Sequence, residues 1–131
     1  MSHRIFLVED HAVMRQAHAD LLLHTPGLEL CGEAASGEEA LEKIAASAPD
    51  LVLVDIALPG MSGLDLARHL EQELPTVPLL IVSGHEKQIY FQDNLSSVGL
   101  NVKGYVMKHE GPVALLNQIR RTLDGSTSST G

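Results

Sequence analysis

The sequence predicts an α/β domain, with a parallel sheet buried between helices on both faces. Short aliphatic runs alternate along the chain with longer stretches at helical spacing, the pattern of strand–helix–strand crossovers. Runs such as Leu51-Val52-Leu53-Val54 show no polar alternation, which suits strands covered on both sides. The length, 131 residues with 44% hydrophobic and 20% charged, fits one domain able to bury a core. It does not fit a disordered or fibrous chain.

The elements follow in order. Strands are predicted at Ile5–Val8, Leu28–Glu33, Leu51–Val54, Leu79–Val82 and Tyr105–Met107. Val13, Met14, Ala17 and Leu21 recur at helical spacing and mark a first helix. Ser36-x-x-Glu39 is a capping box ahead of a second helix carrying Leu41, Ile44 and Ala45. Ser62 precedes a third, with Leu66, Ala67, Leu70 and Leu74. A fourth helix falls between Ser83 and Lys108, and Pro112 suits the first position of a fifth, with Leu116, Ile119 and Leu123. From Asp124 the composition turns to Gly, Ser and Thr. Residues 1–124 therefore read as the domain and 125–131 as a flexible tail or linker.

Nine Lys and Arg against 17 Asp and Glu leave a formal charge of -8. Such a surface repels phosphate backbones, so direct nucleic-acid binding by this domain is not expected. Two Tyr, two Phe and no Trp also offer no platform for stacking bases. No apolar run approaches membrane-spanning length, so no membrane partner is expected. The four apolar residues Ile5-Phe6-Leu7-Val8 are too few for a signal-peptide core, and the expected location is the cytoplasm. The single cysteine, Cys31, has no partner for an internal disulfide and reads as a buried strand residue. The seven histidines lack metal-ligand spacing, and most read as surface residues; His85, two residues past Ser83, is the exception.

In sheets of this kind ligands bind beyond the carboxyl ends of the strands. The first strand runs into Glu9-Asp10 and the third into Asp55. The fourth runs into Ser83-Gly84 and the fifth into Lys108. Three carboxylates on one sheet edge repel one another and raise each other's pKa values, a conflict that a bound cation removes. Oxygen-only donors favour a hard ion, and Mg2+ suits phosphate chemistry, with Mn2+ as a substitute. Lys108 and Ser83 could then meet the oxygens of an incoming phosphoryl group. Taken singly each residue has a bland reading: an acidic pair as a helix cap, Asp55 as a turn residue, Lys108 as a surface charge. Their joint placement at strand ends outweighs these readings.

In this order, Glu9-Asp10, Asp55 within Asp55-Ile56-Ala57-Leu58-Pro59-Gly60-Met61-Ser62-Gly63, Ser83 and Lys108 resemble a two-component response-regulator receiver domain. The resemblance covers about Arg4 to Leu123. Glu9-Asp10-His11 and the Pro-Gly-Met-Ser-Gly loop look most like the receivers of LuxR-type helix-turn-helix regulators. It implies the flavodoxin-like receiver fold, with strand order 2-1-3-4-5. It also implies a phosphorelay function in which Asp55 takes a phosphoryl group from a sensor histidine kinase.

By the same resemblance, Asp10 binds Mg2+ directly and Glu9 through water, with Asp55 and the Ala57 carbonyl completing the protein ligands. Lys108 pairs with the phosphoryl oxygens. Ser83 moves toward the phosphoryl group and Tyr105 follows by turning inward, although an aromatic on the last strand is equally readable as core. The implied output is a switch in partner binding or in homodimerisation through the face of the fourth helix, fifth strand and fifth helix. That switch would control a DNA-binding domain absent from this chain. The domain is not expected to turn over substrates beyond its own phosphorylation and hydrolysis. Ala57 and His85 are expected to border the path of the hydrolytic water. The interval from Ser83 to Lys108 is longer than in related receivers, with the extra length placed around Val98–Lys103.

Three other functions are weighed against this one. An aspartyl-phosphate phosphatase of the haloacid dehalogenase type needs an acid/base Asp two residues past the nucleophile, where Ala57 stands. A flavin or nucleotide module needs a phosphate-binding loop after the first strand, where Glu9-Asp10 repel phosphate. A pseudo-receiver acting by contact alone is disfavoured because each phosphorylation residue is present.

Overall fold

Five parallel strands form one sheet in the order β2-β1-β3-β4-β5. The structure is a computed structural model and describes residues 2–56, 58–83 and 101–124. The elements are β1 (His3–Val8), α1 (Ala12–Leu23), β2 (Leu28–Ala34), α2 (Gly37–Ser47), β3 (Leu51–Asp55), α3 (Gly63–Glu73), β4 (Leu79–Ser83) and β5 (Val102–Met107). A 3-10 turn over Lys108–Glu110 leads into α4 (Gly111–Asp124), the fifth helix of the sequence reading. The predicted fourth helix, Ala57, Gly84, His85 and the 125–131 tail lie outside the described residues.

Alternate strand residues divide the core into two layers, as a two-sided sheet requires. Phe6, Val8, Val52, Val54, Leu79 and Ile81 pack with Ile44 of α2 and Leu66 and Leu70 of α3. Ile5, Leu7, Leu51, Leu53, Leu80 and Val82 pack with Leu22 of α1 and Leu115 and Ile119 of α4. The central strand β3 is buried throughout. At roughly 1.5–3 kcal/mol for each fully buried aliphatic side chain, it is the anchor from which the sheet edge projects. Asp55 therefore sits at the end of a fully buried central strand.

Helix starts follow the capping residues. Ser62 and Asp65 make a reciprocal capping box on α3, with the Ser62 hydroxyl accepting from Asp65 N–H at 3.1 Å. On α2 the Ser36 hydroxyl accepts from Glu39 N–H, but the Glu39 carboxylate reaches the Ala35 N–H rather than that of Ser36. Pro112 stands second in α4 behind Gly111, one place from the predicted position and within ordinary boundary variation.

Several sequence expectations are corrected. The inner face of α1 is Ala19 and Leu22, whereas Val13 is 74% exposed and Ala17 is also exposed. The helix carries two stripes at helical spacing, and spacing alone does not choose between them. Ala45 of α2 faces out for the same reason, with Ala40 and Ile44 inside. Cys31 is half-buried rather than buried, because β2 is an edge strand. The last strand starts at Val102, not Tyr105; Val102 pairs with Leu79 and Gly104 with Leu80, so Lys103 lies within the strand as the extra residue of a register shift. Asn101 sets that start. Its carbonyl accepts from Leu79 N–H at 2.7 Å, and its buried amide donates to the Ala67 carbonyl of α3 at 3.1 Å.

Candidate functional site

The strand register assembles the site. Glu9 follows β1 and extends its ladder by one bond, donating its N–H to the Ala34 carbonyl at 3.0 Å. Asp55 ends β3 beside Val82, and Ser83 ends β4 beside Met107, with Lys108 next in the chain. The carboxylates of Glu9, Asp10 and Asp55 converge so that one ligand oxygen from each lies within 4.8 Å of the others. Glu9 is 1% exposed and Asp55 4%, whereas Asp10 is open to solvent.

Gly63 makes this edge possible. Its N–H donates to the Ile56 carbonyl, and a Cβ there would stand 2.6 Å from the Asp55 carbonyl oxygen. The first turn of α3 is thus pressed against the end of β3, an approach open only to glycine.

Lys108 reaches into the acidic cluster. Its Nζ lies 3.1 Å from Asp55 Oδ2 and 3.5 Å from Glu9 Oε1. Burial alone would lower the lysine pKa, but the two carboxylates more than offset it and raise it, so the ammonium stays charged. Glu9 is pushed from its ordinary 4.5 to about 7, first by burial and then by the hydrogen bond and negative charge of Asp55; Lys108 and the His11 N–H pull the other way. Mutual repulsion of the carboxylates, the cause expected from the sequence, is not the leading one. Loss of water around Glu9 is the larger one.

The donor set fits a hard divalent cation. It offers carboxylate oxygens only, and a nearly fully buried acid whose ionisation is suppressed until positive charge is supplied. Glu9, Asp10 and Asp55 would hold such an ion.

Ser83 is fully buried at the end of β4, and Tyr105 is half-buried on β5 against the α2–α3 layer. The structure thus brings together Glu9, Asp10, Asp55 and Lys108 and places Ser83 on the same sheet edge. Three participants escaped the sequence reading. His11 caps α1, accepting from Met14 N–H through Nδ1 at 3.4 Å. His18, read as a surface residue, is half-buried, and burial lowers its pKa. Arg15 donates to the Glu9 carbonyl at 2.9 Å. A lone arginine on the first turns of a helix otherwise poor in charge was the available signal.

The pattern of the response regulator receiver domain matches residues 5–120. The chain belongs to that family. The transcriptional activator protein ExaE of Pseudomonas putida is 37% identical over 125 residues, covering 92% of this chain and 55% of that protein. A protein-glutamate methylesterase/protein-glutamine glutaminase of Geobacillus kaustophilus is 35% identical over 112 residues, 86% of this chain and 32% of that one. The crystal structure of a LuxR-family two-component response regulator from an Aurantimonas species superposes with a TM-score of 0.85 at 30% identity, covering 95% of this chain and 87% of that one. The LuxR-type resemblance and the receiver fold are borne out. The receiver chain spans about a third to a half of the length of these curated relatives. Among the described residues no helix is long and apolar enough to cross a membrane.

Proposed function

We propose that this receiver accepts a phosphoryl group on Asp55 from the phosphohistidine of a sensor kinase, and that the event controls an output domain joined to it. The observation that carries the proposal is the contact of Lys108 Nζ with Asp55 Oδ2 at 3.1 Å inside a cluster of three carboxylates. A carboxylate held at the end of a buried strand, with a cation 3.1 Å away, is arranged to receive a dianion.

In the step itself an Asp55 carboxylate oxygen bonds to phosphorus while the bond to the imidazole nitrogen breaks. The electron pair leaves with the imidazole, which takes up a proton. Lys108 holds the phosphoryl oxygens as it now holds Asp55, and Ser83 supplies a further hydrogen bond. Mg2+, when bound by Glu9, Asp10, Asp55 and the Ala57 carbonyl, supplies the positive charge that lets two anions approach. The domain is a stoichiometric acceptor, not a turnover enzyme.

The donor must reach the strand edge, and the surface beside it is apolar. A groove of about 470 Å3 lined by Met14, Ala17, His18, Leu21, Val106 and Pro112 runs up to Lys108. Val13 and Val113, neighbours of its lining residues, are 74% and 69% exposed. These residues support docking of the helix that carries the kinase's phosphohistidine.

The output is proposed to be transcriptional, as the ExaE and LuxR-family relatives suggest. The face expected from the predicted fourth helix, β5 and α4 is proposed to carry the signal, by dimerisation or partner exchange. The proposal is tested by incubating the chain with acetyl phosphate, with and without chelator. Labelling should require Mg2+ or Mn2+. Equal labelling in chelator would refute the role of the acidic cluster.

A further inference from the structure

We propose that Arg15 is a positioning residue for the metal site, fixing the Glu9–Asp10 peptide so that Asp10 emerges toward Asp55. The inference rests on the metal reading given above.

Past the last paired residue of β1 the ladder thins. Val8 still pairs with Val54 and Ala34, and Glu9 keeps one bond through its N–H to the Ala34 carbonyl. The Glu9 carbonyl, pointing past the ladder, accepts from Arg15 Nη1 at 2.9 Å in a partly buried setting. The Nε of the same guanidinium lies 3.5 Å from Glu33 Oε1, and Glu33 stands opposite Leu7 in β2. Arg15 therefore spans from α1 to β2 and holds the carbonyl of the peptide that joins Glu9 to Asp10. A guanidinium suits this task, since its planar donors point in fixed directions to two acceptors. The Glu9 carboxylate is tied separately, by the His11 N–H at 3.3 Å. Asp10 is exposed, so the preceding peptide is what sets its direction.

The sign of the effect separates positioning from charge. A guanidinium hydrogen-bonded to the carbonyl of a ligand residue adds positive charge that opposes a divalent ion, so deleting Arg15 as a charge alone would not weaken metal binding. Deleting it as a clip loosens Asp10 and weakens binding.

The test is isothermal titration of the whole chain with Mg2+, using wild type, Arg15→Met and Arg15→Lys. Arg15→Met keeps the unbranched stem and removes the donors. It should weaken Mg2+ affinity about tenfold, the scale of losing a group that orients a ligand. Arg15→Lys, which keeps the charge and one donor, should lose less. At saturating Mg2+ phosphorylation of both variants by acetyl phosphate should return to the wild-type rate. Wild-type or tighter affinity in both variants overturns the inference while leaving the metal reading intact. Failure of the wild-type chain to bind Mg2+ overturns the metal reading and the inference with it.

Discussion

Replacing Glu9 by Gln should stabilise the metal-free domain, and by an amount that depends on pH. Glu9 is 1% exposed, and its carboxyl is held at about 7 against an ordinary 4.5. Its folded pKa lies above its unfolded one, so the protonated acid is the form that folding favours. The stability contributed by protonated Glu9 is fully present below pH 4.5 and is lost as pH rises through about 7. At about 1.36 kcal/mol per pH unit, ionised Glu9 costs the apo domain about 3 kcal/mol at pH 8. Gln keeps the shape and the neutral hydrogen-bonding capacity of the protonated acid. Thermal melts in chelator should show Glu9→Gln more stable than wild type at pH 8, by on the order of 10 °C, and nearly equal at pH 4.5. Adding Mg2+ should raise the wild-type midpoint more than that of the variant, because binding supplies the missing charge. A variant that is no more stable at pH 8, or that is equally stabilised at pH 4.5, would refute the assignment of strain to Glu9.

Two further outcomes follow from the geometry. Gly63→Ala should destabilise the fold by about 1–3 kcal/mol in urea denaturation, because its methyl meets the Asp55 carbonyl at 2.6 Å and backbone must shift; an unchanged midpoint would show that the α3 start yields freely. A phosphate mimic, beryllofluoride with Mg2+, should slow hydrogen exchange across β4 and β5 and in residues 84–103 in wild type but not in Ser83→Ala. Protection confined to the neighbourhood of Asp55, or equal in both proteins, would refute the proposed output route through Ser83 and Tyr105.

The sheet was legible because its signal is redundant. Four aliphatic residues in a row at Leu51–Val54 and Leu79–Val82 admit few readings once they alternate with helical spacing, and the polar residue after each strand then falls on one edge without further information. Asp55 and Lys108 were legible for that reason: both follow strands of a parallel sheet, and the strand order implied by the receiver resemblance brings β3, β4 and β5 side by side. What escaped depended on rotation about a helix axis. The inward face of α1 could be Met14–Leu21 or Ala19–Leu22, and the answer decides where Arg15 and His18 sit. Arg15 works through a backbone carbonyl, an acceptor present at each residue, so no side-chain pattern announces it. Likewise Asn101 reads as a loop residue until its amide is seen bonded to the Ala67 carbonyl. Its strand-starting role moved β5 three residues earlier than Tyr105 suggested.

Asp55 is proposed to be the sole site of phosphorylation, and mapping the phosphoryl group decides this. An aspartyl phosphate is an acyl phosphate, and borohydride reduces it to homoserine, a stable mark at the modified position. After treatment with acetyl phosphate and Mg2+, peptide sequencing by mass spectrometry should find homoserine at position 55 and at no other aspartate, and Asp55→Asn should give none. Homoserine at Asp10 or elsewhere with Asp55 unmodified, or undiminished phosphorylation of Asp55→Asn, would contradict the account.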